Sequence, residues 1–136
     1  MPGPTIDLLV NIDVDDLARA TAFYTTAVPL RVGRRFGDGG VELLSASSAI
    51  YLLAKPAGSE GAPGSPRGYG RHWTPVHLDI IVPDLDAAVV RATEAGATLE
   101  QPATERSWGS IAMLADPFGH GFCLIQFKGA GYDALL

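Results

Sequence analysis

Leu8, Val10, Ile12 and Val14 alternate with Asp7, Leu9, Asn11 and Asp13, the two-residue period of a β-strand with one apolar face. The pattern then changes period. Asp15 or Asp16 offers an N-cap oxygen, and Leu17, Ala20, Phe23, Tyr24 and Ala27 recur at helical spacing until Pro29 stops the run. The same switch returns later: Val76, Leu78, Ile80 and Val82 alternate with His77, Asp79 and Ile81, and Pro83-Asp84 opens a helix through Leu85, Ala88, Val89 and Ala92 that ends at Gly96. In both copies the apolar strand face, Leu8 and Val76 included, is expected to lie under the helix. Extended runs follow each helix: Arg31 to Phe36, Val41 to Leu44 and Ile50 to Leu53, then Thr98 to Gln101, Ser110 to Leu114 and Phe122 to Phe127.

The segment from Val10 to Ala20 thus reappears from Leu78 to Ala88, an offset of 68 residues (79 − 11) in a chain of 136. One βαβββ module is used twice, which places a binding site where the copies meet. The expected organisation is one domain over 1–136: module 1 at about 5–55, a connection at 56–74, module 2 at 75–128 and a tail from 129 that packs on a partner or frays. The connection is too rich in Gly and Pro to sustain a helix or a central strand.

Composition narrows the function classes. With 47% apolar and 18% charged residues, the chain carries enough hydrophobic mass for one soluble domain. A net charge of −5 argues against generic binding to nucleic acid or to an anionic membrane, since such binding is driven by Lys and Arg. No apolar run approaches the ~20 residues of a membrane span, and no signal-like start is present, so the expected location is cytoplasmic. The single cysteine, Cys123, leaves open a lone thiolate ligand, a redox thiol or a small buried apolar residue.

The repeated βαβββ modules, the helix entry Asp16-Leu17 with Phe23-Tyr24 further along it, and the late turn Asp116-Pro117-Phe118-Gly119-His120-Gly121 together resemble the vicinal oxygen chelate superfamily. Glyoxalases, bleomycin-resistance proteins and extradiol dioxygenases belong to that superfamily. The resemblance implies an α+β fold in which two tandem modules form an open, cup-shaped mixed sheet with the helices outside and Asn11, His77 and Asp79 facing the cup. It also implies a divalent metal held by His and Glu at four positions, which fall here on Leu9, Tyr51, His77 and Cys123. Leu cannot coordinate and Tyr rarely does. The usual site is therefore expected to be absent, with a divalent metal left only as a subsidiary possibility.

His77 is either a ligand, a proton carrier or a ligand-binding group, or else a partly buried histidine bonded to neighbours such as Asp79. Glu42, between apolar neighbours, is a candidate general base with a raised pKa, or an edge-strand residue facing solvent. Tyr51 and Cys123 either face a ligand or fill the wall. Trp73, Tyr69 and Trp108 offer aromatic faces beside Arg67, Arg71 and His72, which suit an anion; alternatively the tryptophans cover core edges or a dimer contact. His120 reads as a turn residue, and Arg34 and Arg35 as a solvated face. Two functions compete: a metal-independent binder of a small organic molecule in the inter-module cup, paired as a homodimer, and a glyoxalase-like lyase or isomerase (a dioxygenase ranks below both) using either a noncanonical metal site around His77 or, without metal, His77 and Glu42 for proton transfer. A third reading is an interaction module, for which the apolar tail and the tryptophans speak.

Overall fold

In the computed structural model the described residues are 3 and 5–136; residues 1, 2 and 4 of the expected domain lie outside the described residues. Two compact units emerge: one from the described residues through Thr25 with Pro29–Arg67, the other from Thr26–Val28 with Gly68–Leu136. The change at Arg67/Gly68 falls inside the expected connection.

Unit 1 has β1 (Val10–Val14), α1 (Leu17–Ala27, except its last two residues), β2 (Arg31–Phe36), β3 (Gly40–Leu44) and β4 (Ile50–Ala54). Its sheet order is β1-β4-β3-β2, with β1 parallel to β4 and the other pairs antiparallel. Asp16 caps α1, its Oδ1 accepting from the Arg19 backbone N–H at 3.0 Å. Ala20, Phe23 and Tyr24 on the helix and Ile12, Val14, Val41, Leu43, Ile50 and Leu52 on one sheet face make the buried core. A small hairpin, β5 (Glu60–Ala62) with β6 (Ser65–Pro66), interrupts the Gly/Pro-rich connection.

Unit 2 repeats the plan with β7 (Leu78–Ile81), α2 (Leu85–Ala95), β8 (Thr98–Arg106), β9 (Gly109–Ala115) and β10 (Gly121–Phe127), in the order β7-β10-β9-β8. Asp84 caps α2 through Ala87 N–H at 3.1 Å, and Gly96 (φ +121°) ends it. The fold is α+β, two βαβββ modules each with a four-stranded mixed sheet.

Two expectations need correction. Leu8 and Val76 are 75% and 87% exposed and lie outside the strands rather than under the helices. The first rungs are Val10 against Ile50 and Leu78 against Phe122, where the partner strands begin, so residues before them have no neighbour to hold them in a ladder. The tail forms a 3₁₀ helix, Gly131–Leu135, whose Tyr132 ring meets Trp108 at 5.1 Å and Phe127 at 4.8 Å.

The turn 116–121 is tied down by Asp116, which is buried and accepts from the backbone N–H of Phe118 (2.8 Å) and His120 (2.9 Å). Gly119 sits at φ +89°, and a Cβ there would lie 2.4 Å from the Gly70 carbonyl oxygen. Gly119→Ala is expected to cost about 2 kcal/mol or more by adding left-handed strain to a clash with backbone. Gly68→Ala, in open space, is expected to be near neutral. Chemical denaturation of both variants checks this.

Candidate functional site

Register lines up one row of side chains across each sheet. In unit 1, Tyr51 is the rung partner of both Asn11 and Glu42. In unit 2, Cys123 is the rung partner of both Asp79 and Met113, and Gln101 follows on β8. Side chains two apart share a strand face, so Leu9 belongs beside Asn11 and His77 beside Asp79.

The unit 1 row is organised by a carboxylate. Glu42 is buried, and its Oε1 accepts from the Arg34 backbone N–H at 3.0 Å and from Arg34 Nε at 3.2 Å. Its Oε2 accepts from Arg34 Nη2 at 2.8 Å and from the Tyr51 hydroxyl at 3.1 Å. A register shift between Val32 and Arg35 turns this backbone N–H inward, and Gly33 makes the space: a Cβ there would sit 2.5 Å from Glu42 Oε1. The Arg34 hydrogen bonds, helped by Tyr51 and by the Arg34 charge, outweigh burial and hold the Glu42 carboxyl down at about 2. This corrects two expectations. Glu42 lies on an internal strand rather than an edge, and its carboxyl is lowered rather than raised. Arg34, with 66% of its side chain exposed, nevertheless grips Glu42 and Tyr51 rather than belonging wholly to solvent.

Beside this network lies an open hollow of about 460 Å³, lined by Leu9, Asn11, Phe36, Tyr51 and Leu53 over the pair Gly39-Gly40. The Phe36 and Tyr51 rings are 6.2 Å apart and inclined by 34°, and the Arg34 guanidinium stands 5.5 Å from the Phe36 ring centre. The walls are apolar, with Asn11 and the Tyr51 hydroxyl as polar points.

In unit 2, His77 Nε2 lies 3.2 Å from Asp79 Oδ1, and donor atoms of His77, Asp79 and Cys123 fall within 4.8 Å of one another. Burial, then the Asp79 charge and its hydrogen bond, push the Cys123 thiol up to about 11. Trp73 tilts over His77, with ring centres 5.2 Å apart.

The other expected groups are committed within their own units. Arg67 pairs with Asp13 at 2.7 Å, and Arg71 grips both oxygens of Glu100 at 2.6 and 2.7 Å. His72 stands edge-on to His120 at 5.5 Å, and Trp108 packs against Phe127 and Tyr132, not on the hollow. Of the four positions that the resemblance assigns to metal, Leu9 carries no donor atom, and the Tyr51 hydroxyl is engaged by Glu42 and Arg34. That ring does not fit. Sequence reasoning missed Arg34 as the partner of Glu42; the signal was Gly33 directly before it in a strand, the mark of a bulge.

Residues 9–125 match the glyoxalase-like domain family. The chain belongs to that family. It is 35% identical over 124 residues to an uncharacterised protein of Mycobacterium tuberculosis, covering 85% of this chain and 71% of the relative. Among solved structures, this glyoxalase-like chain resembles a glyoxalase/bleomycin resistance protein/dioxygenase family enzyme from Burkholderia phytofirmans (TM-score 0.72, 23% identity, 90% of this chain and 100% of that one). It also resembles TnmS3, an antibiotic binding protein from Streptomyces sp. CB03234 (TM-score 0.67, 23% identity, 94% and 100%). TioX from Micromonospora sp. ML1 has a TM-score of 0.68 at 19% identity over 91% and 100% of the two chains. These likenesses are of fold.

Glu42 sets a pH prediction. A carboxyl that titrates at about 2 when folded, against an ordinary 4.5, adds stability that is complete above 4.5 and is lost as the pH falls toward 2. Glu100 and Glu105, lowered by Arg71 and Lys128, act in the same direction. Glu42→Gln is therefore expected to flatten, not abolish, the fall in stability between pH 4.5 and 2, as read by urea titrations at stepped pH.

Proposed function

We propose that this glyoxalase-like protein binds a small, planar organic molecule, with the unit 1 hollow as its apolar wall and without the family's usual four-position metal site. The observation that carries this reading is the pairing of Phe36 and Tyr51 over a glycine floor, with Asn11 and the Tyr51 hydroxyl to orient a ligand. The antibiotic-binding neighbour of the same fold supports the ligand class. Pairing into a homodimer belongs to the same proposal. It is supported by the exposed apolar side chains Ile6, Leu8, Leu9, Val76 and Ile81 beside or on the edge strands. Cytoplasmic location is part of it too, since a buried unpaired thiol suits a reducing compartment. No described helix is long and apolar enough to cross a membrane.

A second reading, a lyase or isomerase, has one specific observation in its favour. Asp79 can orient the His77 imidazole for taking and returning a substrate proton. Loss of a measured lyase or isomerase turnover in His77→Ala, with folding intact, would favour it.

Calorimetric titration with bleomycin and a panel of planar polycyclic antibiotics tests the main reading. At least one is expected to bind saturably, with Phe36→Ala weakening it by about tenfold, or roughly 1.4 kcal/mol, and Tyr51→Phe retaining most of the affinity. Failure of the whole panel, or indifference to Phe36→Ala, would contradict it. Light scattering should give twice the 14.3 kDa chain mass.

A further inference from the structure

Unit 2 holds a cluster that the binder reading leaves unused. His77, Asp79 and Cys123 present an imidazole nitrogen, a carboxylate oxygen and a sulfur within 4.8 Å of one another. We propose that these three side chains form a binding site for a borderline-soft divalent cation of the zinc or cobalt(II) class, contained within unit 2 and open at its remaining coordination position.

Three arguments lead there. The first is geometric. Ligand atoms around one tetrahedral zinc sit roughly 3.3–3.6 Å apart, given bonds of about 2.0–2.3 Å. His77 Nε2 and Asp79 Oδ1, at 3.2 Å, are already close to that spacing, and the Cys123 sulfur lies within 4.8 Å of both. The second is positional. Asp79 and Cys123 are rung partners on neighbouring strands, and His77 precedes Asp79 by two residues, so the backbone ladder fixes two ligands and the first rung at Leu78 steadies the third. The third is chemical. A sulfur and an imidazole favour zinc or cobalt over calcium and magnesium, which take oxygen ligands. Three protein ligands leave a position for water or a ligand oxygen, and the half-exposed His77 and Asp79 side chains give access.

Two of these donors, His77 and Cys123, stand at positions that the superfamily resemblance assigns to metal; the set draws nothing from unit 1, where Leu9 and Tyr51 do not serve, and takes Asp79 as a ligand in place of them. On binding, the Cys123 thiol gives its proton to solvent as the metal–sulfur bond forms; no electrons change hands. Asp79, which the thiol and imidazole now share, becomes a ligand.

Cobalt(II) titration of the full-length chain tests the site, read by thiolate-to-cobalt charge-transfer absorbance and by quenching of Trp73, whose ring lies 5.2 Å from that of His77. The expected result is one cobalt per chain, displaced by zinc. Cys123→Ser should abolish the charge-transfer band, Trp73→Phe should remove most of the quenching, and Asp79→Asn should weaken binding at least tenfold. Since Cys123 is buried, folding of Cys123→Ser is checked by circular dichroism; Asp79→Asn, on an exposed side chain, carries the test if that variant fails to fold. No saturable binding at one equivalent, or unchanged affinity and band in Asp79→Asn, would overturn the proposal.

Discussion

Everything distinctive about the first module depends on one buried carboxylate. Glu42 stands on an internal strand, where an unpaired charge would be far too costly to keep. It is kept because Arg34 supplies its backbone N–H and its guanidinium, and Tyr51 its hydroxyl. That arrangement requires the bulge in β2 and a residue without a Cβ at Gly33. The same contacts fix the Tyr51 ring and draw the Arg34 head toward Phe36, so the aromatic wall of the hollow is a by-product of neutralising Glu42. A charge network that crosses strands is thus the frame of the hollow's aromatic wall.

The second module runs the same row with other chemistry. Asn11, Tyr51 and Glu42 occupy the rungs that Asp79, Cys123 and Met113 occupy in the repeat. One row is closed: its acid is matched by an arginine that holds it down at about 2. The other sets a thiol raised to about 11 beside a carboxylate and an imidazole. Duplication supplied two equivalent shelves, and substitution gave one an apolar, aromatic character and the other a set of metal-type donors. Fold membership alone distinguishes neither role.

The repeat and the module plan were legible because periodicity reports burial, and burial is what the sheets and helices share. β2 and both helix starts fall where the alternation and the Asp caps put them. Strand beginnings were not legible: Leu8 and Val76 continue the alternation although no neighbouring strand reaches them. A ladder needs a partner, and a one-dimensional pattern does not show where the partner begins. The His77–Asp79 contact was visible as an i, i+2 pair. The Arg34–Glu42 bond was not, since it crosses strands and turns on a bulge whose only trace is Gly33. Trp108 was ambiguous for a related reason: the aromatic side chains that enclose it, Phe127 and Tyr132, come from the last strand and the tail.

The central claim is that the wall framed by Glu42 is where an organic ligand rests. A ¹H–¹⁵N shift map of the full chain, taken while adding the tightest-binding planar compound, tests it most directly. The account predicts the largest perturbations at Asn11, Phe36, Gly39, Gly40 and Tyr51, with the amide of Arg34 following as the Glu42 bond responds. Perturbations confined to Trp73, His77 and Asp79, with the hollow silent, would contradict it.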